Sequence, residues 1–175
     1  MTNEFVQLGL GFDVEETTPG SSSVKKDQTK ELYLLLSLRP PYYYQMKAGT
    51  KKYEYRRKFV HQPTTTFLYL GTTPADPLSG SIPAKVRFGT PIVDHPSRIG
   101  ELAEDQKPGS SASILAYMAD REKGYAIPVL SVEEIETVRH AELKARFPRF
   151  CPPQSYLVLN NYPDLLTFLL ERSRT

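Results

Sequence analysis

The apolar run from Leu32 to Leu38 (LYLLLSL) stops abruptly at Arg39-Pro40-Pro41, and no other stretch constrains the fold as strongly. A short continuous apolar run reads as a strand buried on both faces. Proline ends it, because the residue before a proline is pushed out of the helical region while proline itself suits a helix's first turn. A short helix from Pro41 to Ala48, closed by Gly49 at its C-terminus, is therefore expected. Proline and glycine keep dividing the chain into short pieces beyond this point. Lys51 to Phe59 alternates charged and aromatic residues, a strand signature. Phe67 to Gly71 reads as another strand, followed by turns from Thr72 to Ser81. Ile82 to Val93 is expected as a fourth strand, broken or edge-placed because of Pro83 and Pro91. Helices are expected at Ser97 to Gln106, capped by Ser97, and at Ser111 to Asp120. A long strand from Tyr125 to Val138, a helical turn or two at Ala141 to Phe147, a strand at Ser155 to Leu159 and a helix at Pro163 to Arg172 complete the reading. About six strands with short helices between them indicate an α+β barrel or strongly curved sheet.

A chain of 175 residues supports one core with a flexible end. Residues 1–30 are expected to be that end, since Thr17 to Lys30 offers only Val24 for burial. The domain is then 31–175. Phe5 to Phe12 is an apolar patch suited either to docking on the core or to binding a partner. The single cysteine, Cys151, excludes an intrachain disulfide and a cysteine zinc site, and suits a reducing compartment, cytoplasmic or nuclear. His61, His95 and His140 lack the spacing and acidic neighbours of a metal site, and Gly9-Leu10-Gly11 lacks the third glycine of a dinucleotide fingerprint. Neither metal nor cofactor is expected. The N-terminus does not read as a signal peptide, and Leu32 to Leu36 and Leu165 to Leu170 are too short to span a bilayer, so no membrane association is expected.

The net charge of +2 conceals a strong segregation. Residues 1–31 hold three basic and six acidic residues (−3), residues 32–93 nine and two (+7), and residues 94–175 ten and twelve (−2). A local surplus of this size attracts polyanions even when the whole chain is nearly neutral. Its centre is Lys47 to Lys58, where Lys47, Lys51, Lys52, Arg56, Arg57 and Lys58 surround the single acid Glu54. Tyr42, Tyr43, Tyr44, Tyr53, Tyr55 and Tyr69 lie around it. Cations neutralise phosphates and aromatic rings stack on unpaired bases, a combination that favours RNA or a nucleotide-derived ligand over a duplex. Alternation on a strand puts Lys52, Glu54 and Arg56 on one face and Tyr53, Tyr55 and Arg57 on the other. Glu54 between two cations suits an orienting ion pair, although a solvated edge strand with a charge ladder has the same pattern.

Gly49-Thr50-Lys51-Lys52-Tyr53-Glu54-Tyr55-Arg56 fits the pattern G-x-K-x-x-E-x-R and resembles the signature of the ASCH family, PUA-like domains named for the activating signal cointegrator homology region. Leu34 to Pro40 (LLLSLRP) is similar to that family's first strand and Ser-x-Lys-Pro turn, with Arg39 in place of the lysine. Phe150 to Tyr156 (FCPPQSY) resembles its closing Phe-x-Pro-Pro-Gln-Ser segment. These motifs follow in order over residues 32–160. The resemblance implies a small PUA-like β-barrel with a cleft at the signature strand, in a family proposed to bind RNA and including some hydrolases. One branch acts as an amidohydrolase on acetylated cytidine through a lysine, a threonine and a glutamate. Lys51 would match its lysine, whereas Glu54 stands where that branch has its threonine.

The candidate ligand-binding residues are accordingly Ser37, Arg39, Lys51, Lys52, Glu54, Arg56, Arg57, Tyr69, Gln154 and Ser155, with Lys51 and Glu54 as candidate catalytic groups. Two other readings stand beside an RNA- or nucleotide-binding module. One is a hydrolase acting on RNA or a modified nucleoside. The other is a protein-interaction module in transcription or RNA metabolism, docking through Phe5 to Phe12 or through an acidic helical insertion around residues 94–123.

Overall fold

The computed structural model of the protein describes residues 30–174; the flexible segment and the Phe5 to Phe12 patch expected from the sequence lie outside them. The elements run β1 (Tyr33–Leu38), α1 (Pro40–Lys47), β2 (Tyr53–Arg56), β3 (Thr64–Leu70), β4 (Ser81–Phe88), β5 (Ile92–Asp94), α2 (Pro96–Gln106), α3 (Ser111–Tyr117), β6 (Gly124–Arg139), α4 (His140–Arg146), β7 (Tyr156–Val158) and α5 (Pro163–Glu171), with a 3-10 turn at Leu159–Asn161. Six strands follow the order β2-β6-β4-β3-β1-β7, and β5 pairs with β6 beside this path. The result is a curled, mixed half-barrel with short helices around it.

β1 is buried on both faces, as its unbroken apolar run requires. Leu34, Leu36 and Leu38 point inward with Leu68, Leu70, Val86, Phe88 and Ile127, and α1 closes this core with Tyr43 and Met46. Leu35 points outward with Phe67, Tyr69, Ile82 and Val138, beneath Leu143 of α4 and Leu165 and Leu169 of α5. Helix α1 starts at Pro40, one residue earlier than expected, with Arg39 as its extended N-cap.

The expected strand Ile82 to Val93 is two strands. β4 is central, paired to both β3 and β6, so Pro83 does not force an edge. The ladder instead slips between Ile82 and Ala84, where proline has no N–H to give. Gly89 and Pro91 then end β4, and β5 pairs with the start of β6. The 16-residue β6 serves two partners: Tyr125 to Pro128 pair with β2, and Val129 onward pairs with β4. The register shift between Arg87 and Phe88, beside the handover at Pro128 and Val129, bends the sheet there. This bend brings β2 round towards β1 and β7, leaving a seam between the two ends of the strand path.

Helix α2 is capped by His95 rather than Ser97, because Pro96 takes the first helical position. The Ser97 N–H donates to His95 Nδ1 at 3.3 Å. Helices α2 and α3 cover the outer side of β2 through a small cluster of Ile99, Met118 and Ala126, packed against Tyr53 and Tyr55. Gly124, the first residue of β6, is what lets Met118 approach. A Cβ there would run into Met118 Sδ, with Ile99 Cγ1 at 3.3 Å. Gly124→Ala is expected to cost about 1–3 kcal/mol through overpacking, read as a lower midpoint in urea with an unchanged slope.

Candidate functional site

Gly49, at φ +71°, turns the chain out of α1. The backbone N–H groups of Thr50 and Lys51 both donate to the Gln45 carbonyl at 3.0 Å, which sets where Lys51 enters β2. Glu54 and Arg56, two apart on the strand, share a face towards the seam. Glu54 Oε1 accepts from Arg56 Nε at 2.9 Å, and Lys51 Nζ lies 3.4 Å from Oε2. The Arg56 guanidinium also donates through Nη2 to the Ser37 carbonyl at 2.9 Å. That carbonyl lies one residue past Leu36, the last β1 residue paired with β7, so Arg56 ties β2 to β1 across the seam. Phe59 and Tyr156, with ring centres 5.4 Å apart, make a second tie.

The side chains of Lys51, Glu54 and Arg56 are only 11%, 6% and 12% exposed. A carboxylate so withdrawn from water is tolerable only because both its oxygens face cations. Two cations on one anion leave the cluster with a formal surplus of one positive charge. Lys51 Nζ also lies 5.1 Å from the ring centres of both Tyr42 and Tyr55. Strand alternation predicts Lys52 as the second cation on Glu54, and the structure corrects this. Lys52 is exposed, and its backbone N–H donates to Gln106 Oε1 at 2.9 Å.

Four of the six tyrosines expected around the site are packed. Tyr53 and Tyr55 lie under α2 and α3. Tyr43 is in the inner core with its hydroxyl donating to Glu134 at 3.3 Å, and Tyr69 is in the outer core with its hydroxyl 3.0 Å from His140 Nδ1. Burial pushes the Tyr55 phenol up to about 12, helped by Tyr53 and Glu54. Burial, then Glu134, does the same to Tyr43, and burial, then Glu31, to Tyr33. An unfolded tyrosine ionises near 10.0. The stabilisation from keeping these phenols neutral is therefore complete below pH 10 and is lost as pH rises towards 12. Tyrosinate absorbance is expected to lag the normal titration and then to rise together with unfolding; a normal titration in the folded protein would count against this packing.

The remaining candidates are spread. Arg57 pairs with Asp120 and lies over Tyr117, on the helical side of β2. Arg39 is exposed at the start of α1, and Gln154 and Ser155 are exposed just ahead of β7, at the Ser37 end of β1. Tyr69 belongs to the outer core. The site that assembles is thus Lys51, Glu54, Arg56 and the Ser37 carbonyl. Two participants carried no sequence signal that singled them out: Gln45, which anchors the turn through its carbonyl, and Tyr42, which covers Lys51. Among the described residues, the buried side-chain polar atoms without a hydrogen-bond partner are Ser37 Oγ, Tyr55 Oη, Arg57 Nε and Gln106 Nε2. All belong to residues in, next to or bonded to the β2 segment. No group of three or more His, Cys, Asp or Glu among the described residues is arranged to hold a metal, and no helix among them is long and apolar enough to cross a membrane.

One surface depression lies elsewhere. About 380 Å³ in volume, it is lined by Lys30, Glu31, Leu32, Gln62, Pro63, Thr64, Thr65 and Arg87 at the other end of β1. The Glu31 carboxylate there already accepts from Thr65 and Tyr33, which hold it below the usual carboxylate range. The depression shares no residue with the Lys51–Glu54–Arg56 cluster.

No protein-family model matches the chain, and a search of curated proteins returns no match. Solved structures do. The ASCH protein from Zymomonas mobilis aligns at 19% identity with a TM-score of 0.62, covering 77% of this chain and 94% of that one. A serine-to-alanine variant of that protein aligns at 18% identity and a TM-score of 0.62, covering 78% and 95%, and a tyrosine-to-phenylalanine variant at 18% and 0.62, covering 77% and 96%. At this identity the likeness speaks for the fold. Taken with the curled sheet and its strand order, it gives this chain the ASCH-domain fold, a PUA-like α+β half-barrel.

Proposed function

We propose that the chain binds single-stranded RNA or a nucleotide-derived ligand at the seam between β2 and β1. The observation that carries this reading is the cluster itself: two nearly buried cations on one carboxylate, at the place where the strand path fails to close. Such a cluster offers donors and an acceptor together. Lys51 is an ammonium with three N–H groups and Arg56 a guanidinium with five, so their contacts with Glu54 and Ser37 leave donors to spare. Glu54 keeps acceptor capacity for the N–H groups of a base edge. Exposed Lys52 and Lys58, flanking the strand, suit phosphates. The ASCH fold of the Zymomonas protein supports this reading without naming a ligand.

A labelled single-stranded RNA oligomer should bind with an affinity that falls about tenfold between low and moderate salt, as expected for three or so neutralised phosphates. Absent binding, or binding indifferent to salt, would count against the reading. A hydrolytic reading is favoured by one observation, the withdrawal of both Lys51 and Glu54 from water at 3.4 Å separation. Turnover of acetylated cytidine or RNA by the native chain, lost in Lys51→Ala, would support it; no turnover of either would remove it.

A further inference from the structure

We infer that Tyr42 is the stacking platform for one unpaired base, and that this base is preferentially a purine; the inference rests on the RNA-binding reading above. Of the six tyrosines around the basic segment, only Tyr42 and Tyr44 remain exposed, at 41% and 39%. The two differ in their surroundings. Tyr44 donates its hydroxyl to Asp76 at 3.3 Å and has no contact with the cluster's cations. Tyr42 carries the Lys51 ammonium over its ring at 5.1 Å, and the same ammonium is 3.4 Å from Glu54. The exposed ring of Tyr42 is thus built directly onto the cluster.

Helix α1 explains the exposure. Pro40, Tyr43 and Met46 face the core, which turns Tyr42 away from it at the edge where Lys51 emerges from the Gly49 turn. The ammonium holds the ring in place, so a base landing on it meets a surface ordered in advance. It also draws electron density towards one side of the ring. A stacked base then lies over a ring polarised by a cation beneath it, an arrangement that rewards an electron-rich, extended π-system. Purines meet both conditions better than pyrimidines.

The test uses the full chain and two RNA oligomers of equal length, all uridine and uridine with one central adenosine, titrated into the native chain, Tyr42→Phe and Tyr42→Leu. The native chain and Tyr42→Phe should both prefer the adenosine-containing oligomer. Tyr42→Leu should bind it about tenfold more weakly, the usual effect of losing one stacked base, and should lose the preference. Thermal melts of all three, expected to coincide because position 42 is exposed, verify that the fold is intact. An unchanged preference in Tyr42→Leu overturns the assignment of Tyr42 and leaves RNA binding at the seam standing. Equal binding of both oligomers by the native chain overturns the purine preference. Failure of the native chain to bind either oligomer overturns both the inference and the reading it rests on.

Discussion

Arg56→Ala is expected to lower the unfolding free energy by about 3–5 kcal/mol, the cost of taking from a nearly buried carboxylate the closer of its two cations. The loss is large because Arg56 does two things at once: it caps Glu54 Oε1 and holds the Ser37 carbonyl, each at 2.9 Å. At roughly 2–4 °C per kcal/mol for a domain of this size, the melting temperature should fall by about 10 °C. Lysine cannot replace it, since an ammonium lacks the fork that spans both acceptors. Arg56→Lys should therefore recover only part of the loss. Glu54→Gln combined with Arg56→Ala should be less destabilised than Arg56→Ala alone, because the carboxylate left with only the longer Lys51 contact is gone. A melting temperature for Arg56→Ala within 2 °C of the native value would show that the seam is not held by this pair.

Lys51→Met is expected to act on binding more than on stability. Glu54 keeps its shorter contact with Arg56, and the methionine stem retains much of the packing between Tyr42 and Tyr55. Binding loses a charge-assisted donor worth about 1.5–3 kcal/mol, so the affinity for single-stranded RNA should fall about ten- to a hundredfold. Lys52→Ala gives the contrast. Its side chain is exposed and pairs with nothing in the cluster, so its loss should remove about one phosphate contact and flatten the salt dependence slightly. Equal effects from the two substitutions would mean that the basic segment acts as a diffuse patch rather than as an ordered site.

Much of this fold was legible in the residues because proline and apolar pattern agree on where elements begin and end. The β1–α1 junction follows from Leu32 to Leu38 running into two prolines, and the long β6 from its β-branched residues. Pro83 misleads for a physical reason: it sits at a register slip, where the missing N–H costs nothing, so a central strand accommodates it. The Ile82 to Val93 reading allows for a broken strand, and the break falls between Phe88 and Ile92, around Pro91; the change of partner there is a property of the sheet that the residues do not encode.

The site was legible in identity and less so in geometry. Alternation places Glu54 and Arg56 on one face, and the structure agrees. It cannot place Lys51, which precedes the strand and reaches Glu54 from the turn set by the Gln45 carbonyl. Composition groups six tyrosines around the cations, but four have their rings packed in the core or under α2 and α3, and only burial distinguishes them from Tyr42 and Tyr44. Ser37 enters through its backbone carbonyl, a role that no side-chain motif encodes.

The most direct test of the seam as the ligand site is to follow backbone amide shifts while single-stranded RNA is titrated into the full chain. Shifts concentrated at Ser37, Tyr42, Lys51, Glu54 and Arg56 are expected, with the far end of β1 unchanged. Shifts concentrated instead at Glu31, Thr65 and Arg87, around the depression at that far end, would contradict it.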